Sequence, residues 1–196
     1  MYAKVENNVI VKVNSSLASF SKAAPAWSGA QLAANGIYEV VYNNSNLKDD
    51  RFYINGAESF TFADDVVTAS YAAATGKALD DVNEVDEDGN ALLDDDGVQM
   101  VTSGLKSNEK NKIKVQAAGQ LQSTDWYVVR HAEATTEIPA DVATYRTAVR
   151  TKSNEMEVAI DGASTVEALE ALFTYINSGT DAEPDISRPL GEWPKL

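Results

Sequence analysis

GLKSNEKNKIKVQAAGQL, residues 104–121, marks the point where the apolar period of this chain lengthens from two residues to about 3.6. Leu105, Ile113, Ala117 and Leu121 fall on one side of a helix drawn through it, while Lys106, Lys110 and Lys114, spaced by four, fall on another. The stretch predicts an amphipathic helix with a basic stripe. The chain before it reads as strand and turn, and most of the chain beyond it reads as helix.

Upstream, short runs of alternating apolar and polar residues are broken by Asn, Asp and Gly. Tyr2 to Val5 and Val9 to Val13 flank Asn7-Asn8, a tight hairpin because Asn tolerates positive φ. After a linker holding Pro25, Trp27 and Gly29, Ile37 to Tyr42 and Phe52 to Ile54 are β-branched and aromatic, and Asn55-Gly56 makes a turn. Strands are expected near Ser59 to Ala63 and near Val66 to Ala74, and Asp88-Gly89 and Asp96-Gly97 are hairpin corners around Ala91 to Leu93. No internal repeat of fixed period is read.

Downstream, Pro139 suits a first helical position and Asp141 complements the dipole of the turn it opens. Val142, Tyr145, Val149, Met156 and Ile160 form its apolar seam, and Gly162 ends it. Ser164 with Glu167 reads as a capping box starting a third helix, whose inward residues are Val166, Leu169, Leu172, Phe173 and Ile176. The short connection predicts an antiparallel hairpin of these last two helices. Pro184, Pro189 and Pro194 then forbid further helix and leave an extended arm ending near Trp193. The expected fold class is α+β: an N-terminal antiparallel β domain over 1–103, a helical module over 104–179 with the helix hairpin, and an arm over 180–196.

Composition narrows function. With 30 acids against 16 bases the net charge is −14, which opposes approach to a phosphate backbone or an anionic membrane surface. Nucleic acid and membrane are therefore not expected partners. The excess concentrates between Asp80 and Asp96, a stretch without Lys or Arg that reads as solvated loops. Cysteine is absent, so disulfides and thiolate chemistry are excluded. The N-terminus shows no secretory pattern, and no apolar run reaches the roughly 18 residues of a spanning helix, so a soluble chain is expected.

The chemistry of sites is sparse. His131 is the single histidine, and no Gly-x-Ser-x-Gly elbow, P-loop or GxGxxG fingerprint is present. His131 reads as a surface or half-buried residue beside a carboxylate, and no acid pair stands out as a glycosidase dyad. Glu84 to Asp95 partly fits a calcium loop through Asp86, Asp88 and Gly89, though the first and last places carry the wrong acids. No catalytic, cofactor-binding or metal residue is assigned. The lysine stripe lacks interleaved aromatics and reads as pairing with the acidic stretch or with a partner's acids. Trp126 and Tyr127 read as packing beside the first helix or marking an interface, and Trp193 as docking on its own domain or on a neighbour. Arg146 and Arg150 share one side of a helix and suit bidentate contact with a partner's carboxylates, or with Asp141, Glu155 or the acidic loops of the same chain.

STDWYVVRHAEATTEIPADVATYRTAVRTKSNEMEVAI, Ser123 to Ile160, resembles the C-terminal module of bacteriophage tail-fibre assembly and tail-associated proteins. Thr124, Asp125 and Trp126, the Ile138-Pro139 helix start, Tyr145, Arg146 and Arg150 carry the likeness. The opening MYAKVENNVIVKV and residues 104–121 are similar to proteins of tailed viruses of marine bacteria, the cyanobacterial ones in particular. In the assembly chaperones the module is terminal, whereas here a helix and a Pro-containing arm come after it. The resemblance implies a non-enzymatic structural component of a phage tail, fibre- or baseplate-associated, located in the virion and in the host cytoplasm during assembly. Its expected partners are other phage tail proteins, with homo-oligomerisation open. The competing readings are a tail-fibre assembly chaperone and a cell-wall hydrolase.

Overall fold

Asn7 and Asn8 take φ of 51° and 63°, the left-handed pair that a two-residue hairpin demands, and join β1 (Tyr2–Glu6) to β2 (Val9–Asn14). Asp64 and Asp65 do the same at φ of 50° and 60° between two later strands, β5 (Glu58–Ala63) and β6 (Val66–Tyr71). Between the hairpins lie a short helix α1 (Gly29–Ala34), opened by a Ser28/Gln31 capping box, then β3 (Ile37–Asn43) and the two-residue strand β4 (Tyr53–Ile54). β4 pairs with β7 (Thr75–Gly76). The computed structural model describes residues 1–196 and separates into two compact units, Met1–Gly76 and Lys77–Leu196.

The five longer strands form one sheet in the order β2-β1-β3-β6-β5. The sheet is mixed, not purely antiparallel: β3 and β6 run parallel, Val40 opposite Val67 and Tyr42 opposite Ala69. Parallel pairing follows from the long excursion after β3, which crosses over before β5 and β6 return as a hairpin. Ala3, Val5, Val40, Val67 and Ala69 are buried on one face, with Ile10, Val13, Tyr38, Phe60 and Phe62 packed around them. The edge strands β2 and β5 approach within 8 Å between Cα atoms, so the sheet curls around this cluster. On the other face Val41 and Val66 remain exposed among Ser and Thr.

The second unit begins with the hairpin corners expected at Asp88-Gly89 and Asp96-Gly97, closed into a motif that their local sequence does not show. The short strands β8 (Val82–Asn83) and β9 (Val101–Thr102) pair antiparallel, and Val85 bridges Ala91 as Leu93 bridges Gln99. The Val85–Ala91 bridge maps onto Leu93–Gln99 by a shift of eight residues, and the Asn83–Val101 pair closes the set, Asn83 lying eight residues before Ala91 and Val101 eight after Leu93. The amide of Leu92 donates to the carbonyl of Glu84 at 3.0 Å, that of Met100 to Leu92 at 2.8 Å, and that of Glu84 to Met100 at 2.8 Å. Three positions eight residues apart thus close a ring of backbone hydrogen bonds, a pseudo-three-fold of three small leaves. An eight-residue repeat exists, correcting the expectation of none. Gly89 and Gly97, at φ of 83° and 77°, turn the tips of two leaves.

Gly104 then brings the chain against Asp80, so closely that a Cβ would sit 2.3 Å from the Asp80 carbonyl. That approach lets Ala78 and Leu79 carbonyls accept from Leu105 and Lys106, and lets Asp81 accept from the Gly104 amide at 2.7 Å and the Ser107 hydroxyl at 2.9 Å. The Leu105 and Lys106 amides, orphan donors of helix α2 (Leu105–Gln122), are thus satisfied from outside the helix. α2 is followed by α3 (Asp125–Ala134), α4 (Ala140–Gly162), α5 (Val166–Phe173) and a two-residue pairing of β10 (Ile176–Asn177) with β11 (Ile186–Ser187).

The helical pair differs from the expected one. α2 packs antiparallel on α4, Lys110 meeting Asp161, Lys114 meeting Glu157 and Tyr145 meeting Gln120, with Leu105, Ile113 and Ala117 buried on α2, Val149, Met156 and Ile160 buried on α4, and α3 inserted in the connection. Both long helices have apolar stripes long enough to cover each other, whereas α5 spans eight residues with Leu169 alone buried. The cap of α5 is Thr165, whose hydroxyl accepts from the Ala168 amide at 3.1 Å, in place of Ser164. The compact boundary at 76/77 assigns the acidic segment to the helical unit, whereas the turn to helix falls near the expected 103/104. Residues 180–196 fold back: the Leu190 amide donates to the Leu172 carbonyl at 3.0 Å, and Leu190 is buried.

Candidate interaction surface

The residues carrying the family likeness split into an inward and an outward set. Arg146 lies in the second turn of α4, 7% exposed. Its Nη1 donates to Thr124 Oγ1 at 2.6 Å and to the Leu121 carbonyl at 3.1 Å, and meets Asp125 Oδ1 at 2.9 Å. Thr124 and Asp125 lie where α2 ends and α3 begins, so this guanidinium fastens α4 to that junction by charge-assisted bonds. The intrachain partners are therefore Asp125 and Thr124, not Asp141, Glu155 or the acidic loops. Tyr145, also buried, donates from its hydroxyl to the Gln120 carbonyl at 3.0 Å.

Trp193 joins the inward set. Its Nε1 donates to Gln116 Oε1 at 3.1 Å, and its ring packs against the cluster of Ala117, Tyr145 and Val149. The terminal segment thus covers its own helical pair. Arg150, one turn beyond Arg146, is exposed; its one hydrogen bond is a 3.4 Å contact to the Arg146 carbonyl.

The outward set sits on α3. None of its ten residues is buried. Trp126 and Val129 are 52% and 54% exposed and lie three apart, on one side of the helix. The Arg130 guanidinium is 4.4 Å from the Trp126 ring centroid and 5.6 Å from that of Tyr127, holding both rings in a cation–π stack while its Nε is covered and unpaired. Arg130 was not foreseen, although an Arg three and four residues after two aromatics is a readable helical signal. Helical structure in this stretch was itself unforeseen, because WYVV carries β-branched and aromatic residues without a helical stripe.

The lysine stripe of α2 is internally neutralised: Lys106 meets Asp80 at 3.0 Å, Lys110 meets Asp161 at 2.7 Å, and Lys114 meets Glu157 at 3.5 Å. Asp161 thereby holds Lys110 above the usual ammonium range. His131 is exposed and its Nδ1 meets the Thr136 carbonyl at 2.9 Å, not a carboxylate.

In the leaves, Asp86 Oδ1 accepts from the Asn90 amide at 2.8 Å and Asp94 Oδ1 from the Val98 amide at 2.8 Å. The Asn90 contacts hold the Asp86 carboxyl below its ordinary range. These acids are spent on their own turns, and no group of three or more His, Cys, Asp or Glu side chains is placed to hold a metal ion. Around the ring Val85, Leu93 and Val101, equivalent by the eight-residue shift, are 54%, 55% and 48% exposed. No helix of the chain is long and apolar enough to cross a membrane.

No family model, curated protein or solved structure matches the chain.

Proposed function

We propose that this chain is a non-enzymatic structural component of a bacteriophage tail, fibre- or baseplate-associated, which acts through contacts with other tail proteins. The observation that carries the reading is α3: a helix tethered at its N-terminus by the Arg146–Asp125 pair, with no residue buried, presenting Trp126 and Val129 beside a stacked arginine. Aromatic residues and arginine held in a fixed arrangement on an exposed helix suit recognition of another protein, since little side-chain freedom remains to be lost on binding. The likeness of Ser123 to Ile160 to tail-associated modules points the same way. Within that family motif, Thr124, Asp125, Tyr145 and Arg146 serve the scaffold and Trp126 serves the surface.

Purified particles of the virus that encodes the chain test the proposal. Quantitative mass spectrometry is expected to find it in a fixed ratio to the other tail proteins, and Trp126→Ala to lower that ratio while leaving the folded chain intact. Absence from the particles, with the chain recovered only on an unassembled fibre protein in the infected cell, would replace this reading with the chaperone one.

A further inference from the structure

The backbone ring over residues 82–102 raises a question its own stability does not answer. The ring is closed by main-chain N–H and C=O groups of Glu84, Leu92 and Met100, and the Gln99 side-chain amide points at all three carbonyls, 2.8 Å from Glu84, 3.1 Å from Leu92 and 2.8 Å from Met100. Such a closure makes no demand on the residues at the neighbouring equivalent positions. Yet all three are occupied by large aliphatic side chains, Val85, Leu93 and Val101, each about half exposed. The segment exposes Val82, Leu92, Val98 and Met100 as well, but Val85, Leu93 and Val101 alone repeat an aliphatic side chain in register at all three leaves, and exposed apolar side chains repeated by the symmetry of the fold mark a contact surface and not a core.

The symmetry says what kind of partner fits. We propose that the three-leaf plate docks on the end of a homotrimeric protein, its pseudo-three-fold axis lying on the trimer's own axis, so that each partner subunit meets one of Val85, Leu93 and Val101. A single copy of an ordinary chain can meet a trimer's axis only by breaking the equivalence of the three subunits; a plate of two turned leaves and one strand pair, related by a pseudo-three-fold, presents an aliphatic side chain to each of them. Around the triad, two leaf tips carry the exposed acids Glu87, Asp88, Asp95 and Asp96, so the complementary trimer end is apolar at the axis and basic at the rim. This inference rests on reading the chain as an assembly component, and it commits that reading to a trimer.

The test uses the full chain with a photo-reactive phenylalanine placed at position 85, 93 or 101, one at a time, produced in infected cells and irradiated both there and in purified particles. The expected result is convergence: all three positions cross-link to the same peptide of one protein, with one copy of this chain per three of the partner. Cross-links to three different peptides, to a second copy of this chain or to a non-trimeric protein, or no cross-link from a chain that is present in particles, would overturn the proposal. Convergence in soluble complexes, with the chain missing from particles, would keep the docking and remove the tail-component reading instead. Val85→Asp, Leu93→Asp and Val101→Asp, each exposed and so tolerated by the fold, are expected to reduce association by about tenfold or more, and by similar factors. A loss confined to one of the three, with circular dichroism unchanged in all, would argue against a shared axis.

Discussion

The helical pair and the three-leaf plate belong to one compact unit and are held by opposite means. Between α2 and α4, Ile113, Val149, Met156 and Ile160 are almost wholly buried, and stability comes from apolar area removed from water. Between Val82 and Thr102 no residue is buried, and the chain is fixed by backbone hydrogen bonds, Asp-capped turns and one glutamine amide. The pair spends its apolar side chains on itself. The plate, shaped by its main chain, leaves its apolar side chains on the outside, and α3 does so too, fastened as it is through Asp125. Surfaces available to a partner thus occur where side chains are not needed for folding.

Substitutions sharpen the contrast. Ile113→Ala removes a buried side chain from the α2/α4 seam and is expected to lower unfolding free energy in urea by about 2–5 kcal/mol, whereas Val85→Ala should change it by less than about 0.5 kcal/mol. Equal losses would break the distinction. Arg146→Ala leaves Thr124 and the Leu121 carbonyl without their charged donor, and a loss of about 1.5–3 kcal/mol is expected. Asp125→Asn should cost far less, because Asp125 is 57% exposed and the pair is screened on that side.

Gln99→Leu deletes the amide at the centre of the ring, for which about 1–3 kcal/mol is expected, confined to the plate. Native-state hydrogen exchange would show it as faster exchange at the Glu84, Leu92 and Met100 amides together, with α4 protection unchanged. If α4 amides accelerate equally, the plate is not a separate cooperative element.

The smallest expected effects are those of pH. Asp81 is held below its ordinary pKa by the Gly104 amide and Ser107 hydroxyl, so its contribution is present at neutral pH and fades as pH falls through its folded-state value. Lys110, raised by Asp161, contributes below its ordinary pKa and loses that contribution as pH rises through its folded-state value. Thermal melts of Asp81→Asn beside the unmodified chain should differ at neutral pH and converge in acid; a constant gap down to the lowest pH would refute the assignment.

Much of the local structure was legible. Asn7-Asn8, the β-branched run of Ile37 to Tyr42, the Leu105 helix and the Pro139 start all act through neighbours a few residues away, and each element formed within a residue or two of its expected place. The side of α4 carrying Tyr145, Val149, Met156 and Ile160 was also legible, because a 3.6-residue period alone puts them on one face. The site was half legible. Trp126 stood out as an aromatic beside a helix, but nothing local distinguishes an arginine that will be buried from one that will stay in solvent, and Arg146 and Arg150 took opposite fates.

The chain by itself therefore determined where helices and turns begin, which faces are apolar, and the acidic, cysteine-free chemistry that surrounds them, since φ preferences and side-chain periodicity act over a few residues. Tertiary structure alone decided that β3 runs parallel to β6, that α4 chooses α2 over α5, and that Trp193 returns to its own helices. It also decided that Glu84, Leu92 and Met100 close a ring. The physical reason is that each of these is a choice among partners distant in the chain, made by the total apolar area and backbone hydrogen bonds satisfied together, which no window of sequence contains.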